Sequence, residues 1–209
     1  MKKWEREEVL RLGFNRLITM AGLPQTRDYT KPIKMERLRG DEYTHDKLIE
    51  WAYKVHEKVW AGENLIILSK QRNGKTSWAI KIMQNYFKQI AASAGLEPRG
   101  VYIDCALFTR KYKEAMDIAA AKKELVPLQI SIPKADLVIW DNLYSAAFTE
   151  YDINLLASYI DERLNNGRAN IFILSLSKEE TGKTRNRDFY NKIYSRALTL
   201  ILRGAVQNV

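Results

Sequence analysis

The residues Ser69-Lys70-Gln71-Arg72-Asn73-Gly74-Lys75-Thr76 have the types and the order needed to bind a polyphosphate. They follow a short apolar run, 64–68, and open a segment, 76–92, whose apolar residues recur at helical spacing. A glycine-containing loop between a strand and a helix aims backbone N–H groups and a helix N-terminus at one point, where phosphate oxygens can be cradled. Gly74 permits close backbone approach, Lys75 reaches the β- and γ-phosphates, and the Thr76 hydroxyl suits Mg²⁺. Ser69, Asn73 and Ser77 complete the expected binding set for ATP or ADP. Ser69 stands where this pattern usually has its first glycine, so the loop loses some backbone freedom.

A near copy follows another apolar run: Leu176-Ser177-Lys178-Glu179-Glu180-Thr181-Gly182-Lys183-Thr184. Charge and context separate the two. The second string has Glu179 and Glu180 where phosphate oxygens would sit, and like charge opposes binding. It leads into Arg185-Asn186-Arg187-Asp188 rather than an apolar helix face, and reads as a surface loop.

A phosphate loop needs a carboxylate at the end of a neighbouring strand to hold Mg²⁺. Leu137-Val138-Ile139-Trp140-Asp141 supplies one, so Thr76 and Asp141 form the expected metal pair. The next residue is Asn142, and an amide cannot take a proton from water at neutral pH. Binding of nucleotide is therefore the firmer expectation, with hydrolysis either slow or dependent on another group. Ser175, ending the run 170–175, is placed to orient an attacking water. Arg196 reads either as an arginine finger acting in trans or as a surface arginine of a helix. Arg110, Lys111 and Lys113 are interleaved with Phe108 and Tyr112, a pattern that can neutralise phosphates and stack bases, or form an ordinary solvated helix face with its aromatics in the core.

Residues 64–68, 100–104, 135–140, 169–175 and 198–202 read as strands that must position these groups. Helices alternate with them over 76–92, 108–121, 153–164 and 188–196, which implies a parallel sheet covered on both faces. Ahead of these lie an amphipathic helix over 4–20, a linker or strap over 21–41 outside the core, and a helix from Thr44, as its cap, to Trp60. The 209 residues suit one α/β domain with a short appendage: residues 1–43 as N-terminal helix and linker, and 44–209 as the main domain. A net charge of +9 favours a polyanionic partner, in practice nucleic acid. The single cysteine, Cys105, excludes an intrachain disulfide framework and reads as a buried core residue at a strand end. No apolar stretch approaches the roughly 20 residues of a membrane span, and the first residues lack a secretory apolar run, so a cytoplasmic protein is expected.

The order of these features resembles a known family. The phosphate loop follows a first strand, and a later strand ends in Asp141-Asn142. Tyr159-Ile160-Asp161-Glu162-Arg163-Leu164-Asn165-Asn166 precedes the next strand, followed by Leu176-Ser177-Lys178-Glu179-Glu180 and Lys192-Ile193-Tyr194-Ser195-Arg196. Over about residues 45–203 this resembles the AAA+ ATPase domain of bacterial and phage replicative helicase loaders of the DnaC/DnaI type. The resemblance implies an AAA+ fold with strand order 5-1-4-3-2, binding of ATP and Mg²⁺, contact with single-stranded DNA, self-association, and delivery of a hexameric DnaB-type helicase onto DNA. By motif position it makes Lys75 and Thr76 the loop pair, Asp141 the Mg²⁺ acid, Ser175 the first sensor and Arg196 the arginine finger. It also points to residues 4–20 as a helicase-binding helix, unless that helix packs on its own domain. Other readings of the same residues are a transposase helper of similar fold, a small-molecule phosphotransferase, and a nucleotide-sensing adaptor with little hydrolysis.

Overall fold

In the computed structural model, which describes residues 3–37, 39–69, 73–144, 147–175 and 187–203, the five apolar runs pair as one parallel sheet. Strands β1 (Asn64–Ser69), β2 (Gly100–Asp104), β3 (Leu137–Asp141), β4 (Ala169–Ser175) and β5 (Ala197–Leu202) lie in the order β2-β3-β4-β1-β5. From the opposite edge this is the expected 5-1-4-3-2. β1, β3 and β4 are buried along almost their whole length because helices cover both faces, and they accordingly carry continuous Leu, Ile, Val and Phe. Edge strand β5 alternates toward partial exposure.

Helix α4 (Lys75–Ile90) follows β1, and α5 (Cys105–Asp117) follows β2. The latter begins three residues before the expected start because the Asp104 carboxylate accepts from Leu107 N at 2.9 Å and caps it. Residues 118–134, to which sequence periodicity assigns no complete element, form a further helix, α6 (Ala119–Lys134), despite Pro127 and Pro133. Its Leu125 and Ile132 are buried, so tertiary packing overrides poor local propensity. α7 (Glu150–Asn165) starts at a reciprocal capping box between Thr149 and Asp152, and α8 (Arg187–Ser195) leads into β5. The second phosphate-loop string, 176–184, lies outside the described residues.

The expected helix over 44–60 is two helices, α2 (Glu42–Tyr53) and α3 (Val55–Trp60), parted at Lys54. Asp41, rather than Thr44, precedes its first turn; the Thr44 hydroxyl instead donates to the Ile201 carbonyl at 2.9 Å, fastening α2 to β5. The strap is also more than a linker, since Ala21, Tyr29 and Ile33 are buried. Burial is tolerated because its backbone polar groups find partners on α4. Gln84 donates to the carbonyls of Tyr29 (2.6 Å) and Lys31 (2.9 Å), and Lys81 donates to that of Ile33 (2.8 Å). Leu17 and Ile18 anchor the end of α1 (Lys3–Met20) in the same core, while Trp4, Val9 and Leu12 at its beginning stay exposed.

One buried cation sets how the strands enter the sheet. Arg163 of α7 is fully buried and donates to Asn170 Oδ1 (2.8 Å) and to the carbonyls of Ile132 (2.6 Å), Ala135 (2.7 Å) and Ala169 (2.6 Å). Two of these carbonyls belong to the C-terminus of α6, where the helix dipole favours a cation. Burial, with Arg168 nearby, pulls the Arg163 pKa down to about 9. Among the described residues, no helix is long and apolar enough to cross a membrane.

Candidate nucleotide site

The carboxyl ends of β1, β4 and β3 bring Ser69, Ser175 and Asp141 to one edge of the sheet. Ser69 and Ser175 are register partners. In open α/β sheets, ligands bind beyond this edge where the strand order reverses, which here is at β1. Lys70, Gln71 and Arg72 lie outside the described residues, but both ends of the loop are placed. Gly74 has φ 76°, a left-handed conformation that a side chain would strain, and it stands immediately before α4. No side chain among the described residues caps that helix start, so its first N–H groups and dipole suit an anion.

Lys75 Nζ donates to the Ser69 carbonyl at 3.1 Å, folding the side chain back along the loop. Burial lowers its pKa from the usual lysine value, and the negative charge of Asp141 acts against that shift. The Thr76 hydroxyl donates to Asp141 Oδ2 at 2.8 Å although 65 residues separate the two. Tyr102, unforeseen from sequence, donates to the same oxygen at 2.7 Å. Burial, reinforced by the charge of Asp141, raises the Tyr102 pKa and keeps it a donor. A hydroxyl beside a buried carboxylate is an all-oxygen donor set of the kind that holds Mg²⁺ with waters and phosphate oxygens, so the residues present fit that ion.

Asn142 adopts φ 53°, and its amide donates to Asp104 Oδ2 at 3.2 Å. Asp104 is the register partner of Asp141, so a second carboxylate stands beside the metal pair although Asn142 is not one. The signal was present in sequence, since Val101-Tyr102-Ile103-Asp104 is, like 137–141, an apolar run ending in an acid. Beside the loop opens a cleft of about 230 Å³ walled by Ile33 and Met35 of the strap, His45 of α2, Ser77 and Trp78 of α4, and Leu202. His45 and Trp78 meet edge to face at 5.2 Å. The cleft, whose rim also carries Arg27, Lys34, Glu36 and Asp41, adjoins Asn73 and Gly74, where the phosphates would begin.

No protein-family model matches the chain, and no curated protein matches it by sequence. Solved structures match it in fold. The DnaC helicase loader aligns with a TM-score of 0.63 at 14% identity, covering 81% of this chain and 93% of that one. DnaI gives 0.57 at 15% identity, covering 93% of each chain. AMPPCP-bound DnaA from Aquifex aeolicus gives 0.60 at 12% identity over 89% of this chain; only 52% of the DnaA chain is matched. The fold is the AAA+ fold, shared with the DnaC helicase loader and with DnaI.

Within this AAA+ fold, Arg196 lies far from its own phosphate loop. Ala197 pairs with Asn64 at the beginning of β1, and the Asn64 amide donates to the Arg196 carbonyl at 3.2 Å. Five residues of extended strand, roughly 17 Å, separate that position from Ser69. An exposed arginine there is too far to serve its own nucleotide, which leaves both readings standing, action on a neighbour's nucleotide or a surface arginine.

The three α5 cations are less uniform than the sequence pattern implied. Lys113 donates to the buried carboxylate of Asp152 at 2.8 Å, bracing the capping box of α7. Arg110 and Lys111 make longer, exposed ion pairs with Glu114 (3.7 Å) and Glu124 (3.5 Å). Phe108 is buried and Tyr112 packs between it and Tyr151, so the interleaved aromatics serve the core. Cys105 is buried, and burial raises its thiol pKa well above the usual value.

Proposed function

We propose that this protein is an ATP-dependent AAA+ switch that recruits or loads a DnaB-type hexameric helicase onto single-stranded DNA during replication. The observation that carries nucleotide binding is the Thr76–Asp141 contact beside the left-handed Gly74 and the start of α4. Lys75 and the first N–H groups of α4 would bind the β- and γ-phosphates, with Ser69, Asn73 and Ser77 lining the loop. Thr76 and Asp141 would hold Mg²⁺, which when bound neutralises phosphate charge. The cleft between the strap and Trp78 would take the base, so that nucleotide occupancy is felt by the strap and, through it, by α1. That coupling makes residues 1–43 the natural helicase contact, with exposed Trp4, Val9 and Leu12 as its apolar anchors.

Ser175 at the end of β4 would sense the γ-phosphate, and Arg196 would complete the site of an adjacent subunit in a cytoplasmic homo-oligomer. Arg110 and Lys111 are the α5 cations best placed to exchange weak exposed acid pairs for DNA phosphates; Lys113 would first have to leave Asp152. The similarity to a helicase loader and to DnaI supports this reading at the level of fold.

Asn142 favours a second reading, a nucleotide-sensing adaptor with little turnover, because the residue after Asp141 cannot act as a base. Asp104, held by that amide, is then the carboxylate through which any hydrolysis would have to run. The deciding experiment mixes the protein with its host's replicative helicase and measures complex formation with ATP and with ADP. A nucleotide-dependent complex is expected; no complex in either state overturns the loader function, while co-purification with a transposase instead supports the transposition-helper alternative.

A further inference from the structure

A second concave site lies at the opposite end of the sheet from the phosphate loop. Arg99, Asp136 and Arg168 each stand one residue before a strand, β2, β3 and β4, and face a cavity of about 490 Å³. Asp136 is the only carboxylate lining it among the described residues, and it is shared. Arg99 binds one of its oxygens together with the Tyr86 hydroxyl (2.6 Å), and Arg168 approaches the other at 3.4 Å. Two guanidiniums against one carboxylate leave a positive charge at the cavity mouth, and both side chains are partly exposed.

Aromatic rings form the adjoining wall. Trp60 is 86% exposed and lies near-parallel to His56 with centroids 6.4 Å apart; His56 in turn lies near-parallel to Tyr86 at 6.4 Å. His56 also borders a neighbouring cleft that includes Tyr53, itself 81% exposed. Large aromatics this exposed lose hydrophobic stabilisation unless something covers them. Rings in a row beside surplus guanidinium charge match the alternation of bases and phosphates in an unpaired strand.

We infer that this face binds single-stranded nucleic acid, with bases stacked on Trp60 and Tyr53 and a backbone phosphate on Arg168 and Arg99. A free mononucleotide offers the same ring and phosphate but would use only one of the two adjoining clefts. The site stands independently of the nucleotide reading and differs from the α5 cations, so the failure of either is separable.

The test is fluorescence anisotropy of labelled oligo(dT), about 15 nucleotides long, on the full chain with saturating Mg-ADP. Trp60→Ala and Arg168→Gln should each weaken binding roughly tenfold, and Arg168→Gln should reduce the salt slope by about one. Both site variants are surface changes, and unaltered melting temperatures would show that folding is intact. Affinity unchanged in both variants, or no binding of the oligonucleotide by the parent protein, overturns the inference. Competition by dTMP at concentrations matching the oligonucleotide's own affinity overturns the strand and leaves a mononucleotide site. Loss confined to Arg110→Ala and Lys111→Ala places the strand on α5 and also overturns it.

Discussion

Replacing Lys75 by alanine removes a side-chain charge that the structure aims along the phosphate loop, from a partly buried position against the Ser69 carbonyl. A unit charge about 4 Å from a phosphate oxygen at an effective dielectric near 20 gives roughly 4 kcal/mol, which sets the ceiling. Lysine must shed water to make that contact, so the net loss should resemble a hydrogen bond to a charged group, about 1.5–3 kcal/mol. That range converts to roughly a 10- to 150-fold weaker affinity for ATP. The assay is a titration with a fluorescent ATP analogue at fixed salt, repeated with ADP, for which the loss should be smaller because the γ-phosphate is missing. A pH series adds a second signature. Because burial lowers the Lys75 pKa, its proton leaves before the ordinary lysine value is reached. ATP affinity of the parent should therefore fall on the alkaline side at a lower pH than for an exposed lysine, while Lys75→Ala should lack that limb. Affinity within twofold of the parent would refute the assignment of residues 69–76 as the phosphate loop.

Other perturbations separate binding, turnover and stability. Asp141→Asn should make nucleotide affinity insensitive to Mg²⁺ while retaining metal-free binding, as read by titration with and without EDTA; persistent Mg²⁺ dependence would remove Asp141 from the metal pair. Asp104→Asn should leave ATP affinity within a few-fold and reduce steady-state phosphate release at least tenfold, because Asn142 offers no alternative base. Arg163→Met should cost about 3–5 kcal/mol in urea unfolding, because it strips donors from four buried acceptors at once. Asp152→Asn should destabilise the fold by about 1 kcal/mol at neutral pH through the weakened cap and lost Lys113 pair. Burial raises the Asp152 pKa, but Lys113 and the Thr149 contacts outweigh it, so the net shift is downward. The stabilisation is thus fully present above the ordinary carboxylate value and lost as pH falls through the depressed one, so parent and variant stabilities should converge in acid.

The fold was legible because it rests on local patterns. Continuous apolar runs ending in Ser69, Asp141 and Ser175 mark buried parallel strands, and a chain that alternates such runs with helices has few ways to cover both faces. Residue types within eight positions likewise pointed to a phosphate loop, and the strand-ending acid pointed to Asp141, which the structure brings against Thr76. Helix boundaries were less legible at α6, where two prolines hide a helix held by its neighbours, and at Lys54, where one helical period continues across a break.

Tertiary structure alone decided which groups meet. Asp104 and Asn142 are 38 residues apart in sequence, and only the pairing of β2 with β3 makes the amide of one the partner of the other. The strap looked like a linker because its polar backbone argues against burial, and Gln84 and Lys81, some 50 residues on, are what satisfy it. Lys113 read as a cation for DNA phosphates or for a solvated helix face until α7 placed Asp152 against it. Charge and periodicity are properties of a segment, whereas desolvation, hydrogen-bond satisfaction and ion pairing belong to neighbours in space. By itself the sequence determined the sheet and the residue types offered by the loop, and the packed chain decided which carboxylates, amides and cations stand beside it.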